Sequence, residues 1–435
     1  MPAKRQRFLT EFLAWLTVSF AALSLGAAFG LQSWRWIFAG MLAAGIIPII
    51  TSLLWGTKIQ ASWPTAPMTT VTALVVAYGF DHYTVSWLLS PEHFVSLVCL
   101  LAWGLMILWG ILRLGTLIRF IPNLIIIGFM NGIAVLIRWD QVKKLLWLAW
   151  QTALTWSLLV NVLITVGTLL LLFVLPRLLK KLPLKASVRA MIPVTLLVIL
   201  LFSVLHAVFG LGGETVTMGE RMNSWSDLSR YMLSYIPHFS LITWTDIIQA
   251  LPLAAQLALL GYLDSLLTSL VIDKMTTSST KKNKELIAQG IANAFVGMIG
   301  GIPGAQATIR SVLLIKEKAQ TRLAGVFVGM CTLIMLFAFQ GRMQYIALAI
   351  FVGVLLKAWW DVFEKDFLVL LIKKKLYANY TWLVQIFFVL YTTLVTVFID
   401  LNVAVISWTI LFLIGKRYFQ FKDFGDQVDD LVYEG

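Results

Sequence analysis

Apolar residues dominate this chain in long runs, and short polar or basic stretches separate the runs. A helix that crosses a bilayer needs about 20 predominantly apolar residues, and runs of this kind recur along nearly the whole sequence. The pattern predicts fourteen helical segments, seven in each half. The first seven cover 10–30, 36–55, 67–80, 92–112, 117–138, 152–175 and 190–211. The second seven cover 250–273, 285–300, 304–316, 321–340, 343–358, 380–399 and 401–416.

The third and tenth segments, 67–80 and 304–316, hold the same place in each block of seven. Both are too short to cross a hydrocarbon core of about 30 Å alone. Short, Pro- or Gly-interrupted segments at corresponding places indicate a transporter built from inverted repeats. The sequence therefore predicts an all-α polytopic membrane protein. Its predicted parts are a seven-span repeat at 1–211, an external connecting segment at 212–249, an inverted seven-span repeat at 250–416 and a short cytoplasmic tail at 417–435.

Composition and charge support this topology. The chain is 60% hydrophobic, whereas soluble domains are roughly 45–50% apolar. Its net charge of +13 would indicate a nucleic-acid partner in a soluble protein. Here, 26 of the 34 basic residues fall in segments that the predicted topology places in the cytoplasm, which is the positive-inside pattern. We therefore expect a multi-pass protein of a bacterial inner membrane with both termini cytoplasmic, and no nucleic-acid partner.

Asp264 lies in the middle of an apolar run, where an ionised carboxylate is costly unless a partner or a water-filled site offsets it. Thr268 follows four residues later and shares a helix face with it. Together they offer hard oxygen ligands for a small cation such as sodium, or a site for a coupling proton. A structural ion pair between Asp264 and Arg310 would also explain the buried acid. The residues alone leave both interpretations open.

Two helix breaks predict an anion site. GGIPG at 300–304 interrupts an apolar run, and Pro64 and Pro67 precede the polar start of the third segment. A helix that begins after such a break presents unpaired amides and about half a positive charge at its N-terminus. Two such N-termini meeting head to head would hold one small anion. The predicted anion-binding residues are Thr69, Thr70, Ala305, Gln306, Thr308 and Arg310.

Three segments resemble the sulfate permease (SulP) family of anion transporters: PTAPMTTVTALVV at 64–76, FIPNLIIIGFMNGIA at 120–134, and the stretch from LDSLLTS at 263–269 through GGIPGAQATIR at 300–310. The resemblance implies a UraA-like fold of 7+7 inverted repeats, with a core domain that moves against a gate domain. LDSLLTS is most similar to the sodium-dependent bicarbonate transporters of the family. That similarity implies sodium at Asp264, Thr268 and Thr308, and the anion at Thr69. Family members usually carry a STAS domain after the last span, and we expect none within 417–435.

These features favour secondary active transport of an inorganic anion, sulfate or bicarbonate, coupled to sodium or protons by elevator-type alternating access. A channel-like anion conductor or a dicarboxylate/anion exchanger would use the same residues. No His, Cys, Asp or Glu spacing is typical of a metal centre and no nucleophile–base pair is evident, so we do not expect an enzyme. Sodium as coupling ion is the only expected cofactor. The expected partners are the lipid bilayer, a small inorganic anion and a second copy in a homodimer.

Overall fold

The computed structural model describes most of the chain between residues 15 and 414. The described residues are 15, 18–19, 22–23, 25–54, 56–83, 89–120, 125, 127–128, 130–132, 134–136, 138–139, 141–143, 156–181, 183, 194–210, 215, 224–276, 278–307, 310–311, 314–315, 321–339, 341, 345–363, 381–398, 407, 410–411 and 414. The predicted site residue Thr308 and the predicted tail 417–435 lie outside them.

The described residues are mainly helical, as predicted. The helices with defined bounds are α1 Ile37–Leu54, α2 Ala66–Tyr83, α3 Pro91–Ile111, α4 Trp156–Lys181, α5 Val194–Phe209, α6 Trp225–Ser234, α7 Trp244–Thr276, α8 Lys282–Met298, α9 Leu323–Phe339, α10 Leu348–Val362 and α11 Thr381–Phe398. Residues 25–32 are also helical. Two short 3-10 helices cover Leu114–Phe120 and Phe239–Leu241. Two short strands, β1 (Ser62–Trp63) and β2 (Ala305–Gln306), form one small sheet.

Among the described residues, four helices are long and apolar enough to cross a membrane. They are α1, α3, the Leu159–Lys181 part of α4 and the Trp244–Leu270 part of α7. Shorter apolar helices lie at Leu197–Phe209, Leu323–Ala338 and Ile386–Phe398. The fourteen-span, 7+7 arrangement goes beyond this set and stays a prediction.

The chain divides into two compact units. The first comprises Met1–Gly115 and Lys143–Lys357, and the second comprises Thr116–Val142 and Ala358–Gly435. In the second unit, the Thr393 hydroxyl of α11 donates a hydrogen bond of 3.0 Å to the carbonyl oxygen of Gly128. The Arg138 guanidinium lies 5.1 Å from the centre of the Trp359 ring, a cation–π contact. The expected grouping of spans into core and gate domains stays a prediction.

Helix packing in the first unit is reciprocal between the two halves of the chain. α3 packs along α8, and α1 packs along α9, so the predicted fourth span meets the ninth and the eleventh meets the second. Glycines bring these backbones close together. A Cβ on Gly329 of α9 would lie 2.3 Å from the carbonyl oxygen of Gly45, and one on Gly290 of α8 would lie 3.0 Å from that of Trp103. Reciprocal contacts of this kind are what a two-fold relation between repeats would produce.

The predicted connecting segment 212–249 is partly helical. It contains α6, whose N-cap Ser224 forms a capping box with Asp227, and α7 begins at Trp244 instead of near residue 250. A reciprocal pair of bonds marks this earlier start: the Asp246 carboxylate accepts from the amide of Thr243, and the Thr243 hydroxyl accepts from the amide of Asp246. Pro252 lies inside α7 and explains why the sequence pattern suggested a later start.

The predicted topology places exposed Lys181 inside the cell and exposed Ser224 outside. In a chain with Cys99 and Cys331 replaced by alanine, we expect Lys181→Cys to react with an impermeant maleimide only in inside-out vesicles. Ser224→Cys should react only in right-side-out vesicles. Reaction of both cysteines from one side would contradict the topology.

Candidate functional site

β1 and β2 form a short antiparallel pair that brings the two predicted helix breaks together. Ser62 pairs with Gln306, and Trp63 pairs with Ala305. The amide of Ala307 donates to the carbonyl of Ala61 at 2.9 Å. Two helical stretches follow these antiparallel strands: α2 begins at Ala66, and residues 310 and 311 are helical after β2. The amide of Ser311 donates to the carbonyl of Ala307 at 3.0 Å. We call residues 61–66, 304–307 and 310 the crossing.

Glycine and proline shape both sides of the crossing. α8 ends at Met298, and Gly300 adopts a φ of +78°, which glycine reaches without strain. Gly304 has no room for a side chain, since a Cβ there would lie 2.3 Å from the carbonyl carbon of Trp63. On the other side, α2 begins at Ala66 with Pro67 in its first turn, where the missing N–H costs no helical hydrogen bond. These glycines and prolines therefore end one helix, start the next and let the two chain segments approach closely at the crossing.

Asp264 lies against the crossing. The Thr65 hydroxyl donates a hydrogen bond of 2.6 Å to its Oδ2 atom. Thr65 directly precedes α2, so this bond ties the predicted cation site to the start of the predicted anion-binding helix. Asp264 is half-buried, and Thr268, one turn further along α7, is buried. The carboxylate and the threonine hydroxyls supply only oxygen ligands, which suit a hard cation.

Arg310 brings positive charge to the crossing. Its guanidinium lies 4.5 Å from the centre of the Trp63 ring, a cation–π contact with a residue of β1. Arg310 also interacts electrostatically with the Asp264 carboxylate. This proximity fits both interpretations of Asp264, because a residue paired with Arg310 at rest could still bind a cation in transport. The ion pair of Asp264 with Arg310 and the cation site both stay predictions.

The threonine hydroxyls of α2 already donate to their own helix. The hydroxyl of Thr69 donates to the carbonyl of Thr65 at 2.6 Å, and that of Thr70 donates to the carbonyl of Ala66 at 3.0 Å. The Thr70 hydroxyl also accepts a hydrogen bond of 2.8 Å from Nε2 of the Gln32 side chain. A hydroxyl has one proton to donate, so these groups contact an anion only after rotating away. The backbone amides at the start of α2 are the more direct donors.

Ala305 and Gln306 are fully buried in β2. Among the described residues, neither Nε2 nor Oε1 of Gln306 has a hydrogen-bond partner. Paired residues of an antiparallel sheet share a face, so the Gln306 side chain lies on the same face as Ser62. Burying an unpaired amide is costly, so this side chain is available to a ligand or a water molecule.

A polar stripe on α8 holds the crossing in place. The stripe consists of Glu285, Gln289 and Asn293, each four residues apart and therefore on one face. The buried Glu285 carboxylate accepts from the amides of Gly56 and Thr57 at 3.1 and 2.8 Å. The stripe fixes one side of the segment that leads into β1.

Gln289 and Asn293 complete this support. Gln289 donates to the Ser62 hydroxyl at 2.7 Å and to Glu285 at 2.8 Å. Asn293 accepts from the amide of Gly304 at 2.7 Å and donates to its carbonyl at 2.9 Å. One helix thereby satisfies backbone or side-chain groups on both sides of the crossing, Ser62 of β1 and Gly304 just before β2.

The structure brings together Asp264, Thr268, Thr69, Thr70, Ala305, Gln306 and Arg310 around or beside the crossing. Thr65 and the stripe residues Glu285, Gln289 and Asn293 were not predicted. The four-residue spacing of Glu, Gln and Asn in ELIAQGIAN could have revealed the stripe. Within the described part of the chain, no three His, Cys, Asp or Glu side chains cluster as they would in a metal centre.

Asn293→Leu should destabilise the protein by about 2–5 kcal/mol, because it leaves the buried N–H and C=O of Gly304 without their partner. Thr332→Val is a suitable control, since within the part of the chain that the structure describes the buried Thr332 hydroxyl bonds only to the carbonyl of Val328 in its own helix. We expect the thermal midpoint in detergent to fall much further for Asn293→Leu. Equal midpoints for the two variants would mean that the stripe does not support the crossing.

Comparison with known proteins assigns the chain to a family. The model described as "Sulfate permease family" matches residues 8–385. YvdB of Bacillus subtilis (strain 168), named as a candidate sulfate transporter, is 27% identical over 376 residues, which cover 83% of this chain and 66% of YvdB. The bicarbonate transporter BicA of Picosynechococcus sp. is 30% identical over 371 residues, which cover 81% of this chain and 61% of BicA. The chain thus spans about two thirds or less of these relatives' lengths.

Solved structures share the fold. The transmembrane domain of a cyanobacterium bicarbonate transporter BicA superposes with a TM-score of 0.76 at 25% identity, covering 91% of this chain and 97% of that one. The structure of SLC26A9 superposes with a TM-score of 0.73 at 15% identity, covering 95% of this chain and 66% of that one, and supports the fold alone. The sequence match and the shared fold agree: this chain belongs to the sulfate permease family.

Proposed function

We propose that this protein is a secondary active transporter of a small inorganic anion, sulfate or bicarbonate, and that the anion binds at the crossing. The observation that carries the proposal is the antiparallel β1–β2 pair, which is followed by α2 on one side and by the helical residues 310 and 311 on the other. The first amides of a helix have no partner within the helix, and α2 begins at the crossing. An anion there would meet backbone donors from both repeats.

The charges at the crossing favour a single small anion. Two helix N-termini each contribute about half a positive charge, and Arg310 adds a full one. The side chain of Gln306 offers a further donor. These groups lie in a protein interior where water screens charge less than at a surface. Binding by fixed amides also suits transport, because the site can hold an anion without being rebuilt for each cycle.

Asp264 would couple anion binding to a cation. Its carboxylate lies beside the crossing and would repel an anion while it is ionised and unneutralised. Sodium or a proton on Asp264 would remove this repulsion, so each ion would raise the affinity for the other, as thermodynamic linkage requires. In this proposal the sodium ligands are Asp264, Thr268 and Thr308, of which Thr308 lies outside the described residues. Elevator-type movement of the site across the membrane completes the proposal.

Two alternatives use the same site. A channel-like conductor would let the anion pass without a coupling cation, and an exchanger would couple two anions, one of them a dicarboxylate. Uptake into proteoliposomes separates the three. Saturable uptake of sulfate or bicarbonate that needs a sodium or proton gradient supports the proposal. Single-channel currents, or uptake that depends only on a counter-anion, would contradict it.

We expect Asp264→Asn to abolish the cation dependence of uptake. Asparagine keeps the size of the side chain and can still accept the Thr65 hydrogen bond, but it lacks the charge that holds a cation. Asp81→Asn, at an exposed position of α2, controls for the loss of one carboxylate. Uptake by Asp264→Asn with unchanged sodium and pH dependence would make Asp264 a structural partner of Arg310.

Arg310→Gln should raise the half-saturating anion concentration about ten- to hundredfold, the range expected for losing one charged interaction. Exposed Arg322 provides the control variant Arg322→Gln. If Arg310 also neutralises Asp264, then Asp264→Asn combined with Arg310→Gln should be more heat-stable than Arg310→Gln alone. Unchanged anion affinity in folded Arg310→Gln would exclude this residue from the site.

A further inference from the structure

A pocket away from the crossing opens beside the turn that joins residues 25–32 to α1. Its cavity volume is about 20 Å³, which is room for one small ion or water molecule. Trp34, Trp36, Phe80 and Tyr235 supply aromatic walls, and Arg35 and Glu92 are its charged lining residues. Trp34 holds a φ of +57°, so the turn has a defined conformation that directs the neighbouring side chains. All of these residues belong to the first unit.

Arg35 is the unusual member of this pocket. Its side chain is 7% exposed, and its Nη1 atom has no hydrogen-bond partner among the described residues. Its guanidinium lies 5.0 Å from the centre of the Tyr235 ring, which provides a cation–π contact but no counter-charge. A buried cation without a hydrogen-bonded anion is strongly unfavourable. The pocket therefore contains a buried guanidinium nitrogen, Arg35 Nη1, that a negatively charged group could satisfy.

The lining indicates the class of ligand. A guanidinium is weakly hydrated, and aromatic ring edges carry partial positive charge, so both favour a weakly hydrated anion. The Glu92 carboxylate opposes a second negative charge, which favours a singly charged group over a divalent one. Chloride and nitrate in solution meet this description, and so does the phosphodiester of a lipid headgroup. The exposed rings of Trp34 and Trp36 are typical of the membrane interface, where both sources are present.

We propose that the Arg35 pocket is a second anion site, separate from the crossing, that binds a singly charged anionic group. On the predicted topology the pocket faces the outside of the cell. Tyr235 connects it to the second helix break: the ring packs directly on Gly300, where a Cβ would lie 2.4 Å from Tyr235 Cδ2. The Tyr231 hydroxyl also donates to the carbonyl of Gly300 at 3.2 Å.

Chloride-dependent heat stability in a lipid-free maltoside detergent tests the proposal. A ligand that binds only the folded protein raises the thermal midpoint as its concentration increases. With gluconate replacing chloride at constant ionic strength, we expect chloride to raise the midpoint of the unmodified chain. Arg35→Gln should lose this response and be more stable than the unmodified chain in gluconate, because it removes the unpaired charge. Glu92→Gln should shift the response to lower chloride concentrations.

Two controls separate this site from the rest of the molecule. Arg230→Gln removes a charge from an exposed position of α6 and should leave the chloride response unchanged. Ala305→Leu should fill the crossing and stop transport, yet keep the chloride response that depends on Arg35. The chloride response that depends on Arg35 can therefore be observed even if the proposed transport function is wrong. Transport at the crossing can likewise be observed even if the Arg35 pocket binds no anion. If Ala305→Leu does not fold, the comparison of Arg35→Gln with Arg230→Gln still decides.

Nanodiscs identify the source of the anion. A chloride response that persists in phosphatidylcholine nanodiscs supports an ion from solution. A response lost in nanodiscs, with less phosphatidylglycerol retained by Arg35→Gln than by Arg230→Gln, supports a lipid headgroup in the same site. Equal chloride responses and equal lipid retention in Arg35→Gln and Arg230→Gln would overturn the proposal.

Discussion

The antiparallel pairing of β1 with β2 is the constraint on which the rest of the structure depends. A membrane interior offers no water to satisfy an interrupted backbone, so a break at that depth requires protein partners. Here the two strands supply hydrogen-bond partners for part of each other's backbone. Asn293 of the polar stripe on α8 bonds to the amide and carbonyl of Gly304. The close glycine contacts of α1 with α9 and of α3 with α8 bring the scaffold near enough for these bonds. The proposed site lies at this point because the backbone groups freed by the two helix breaks form hydrogen bonds with each other there.

This arrangement also explains the distribution of charge. The helix starts and Arg310 make the crossing positive, and Asp264 is bonded to Thr65 at its edge. A permanently ionised acid would work against anion binding, which gives a cation at Asp264 a physical role in the proposed cycle. The hydroxyls of Thr69 and Thr70 are engaged by their own helix, so the fixed amides carry most of the proposed binding. A site of this kind would recognise charge and size more than the detailed shape of the anion.

The helix breaks and most of the site residues could be predicted from the sequence, because polar and ionisable residues are rare and costly within membrane-spanning segments. The short third and tenth segments, the acid at 264 and the glycine–proline break are all conspicuous in apolar surroundings. The bond from Thr65 to Asp264 was not predictable, since it joins residues 199 apart in the chain. The donor role of the Thr69 hydroxyl depends on its rotamer, which sequence does not reveal. The predicted topology places Arg35 outside the cell, but its lack of a hydrogen-bond partner at Nη1 appears only when its neighbours are placed.

Anomalous diffraction from crystals grown with selenate or bromide would test the central claim most directly. Selenate replaces sulfate and bromide replaces a monovalent anion, and both scatter anomalously, so a bound ion can be located without relying on its shape. The proposed site predicts a peak between the first turn of α2 and Arg310, within hydrogen-bond distance of the amide of Met68. Well-ordered crystals with an ion bound elsewhere along the transport path, and none at the crossing, would contradict it.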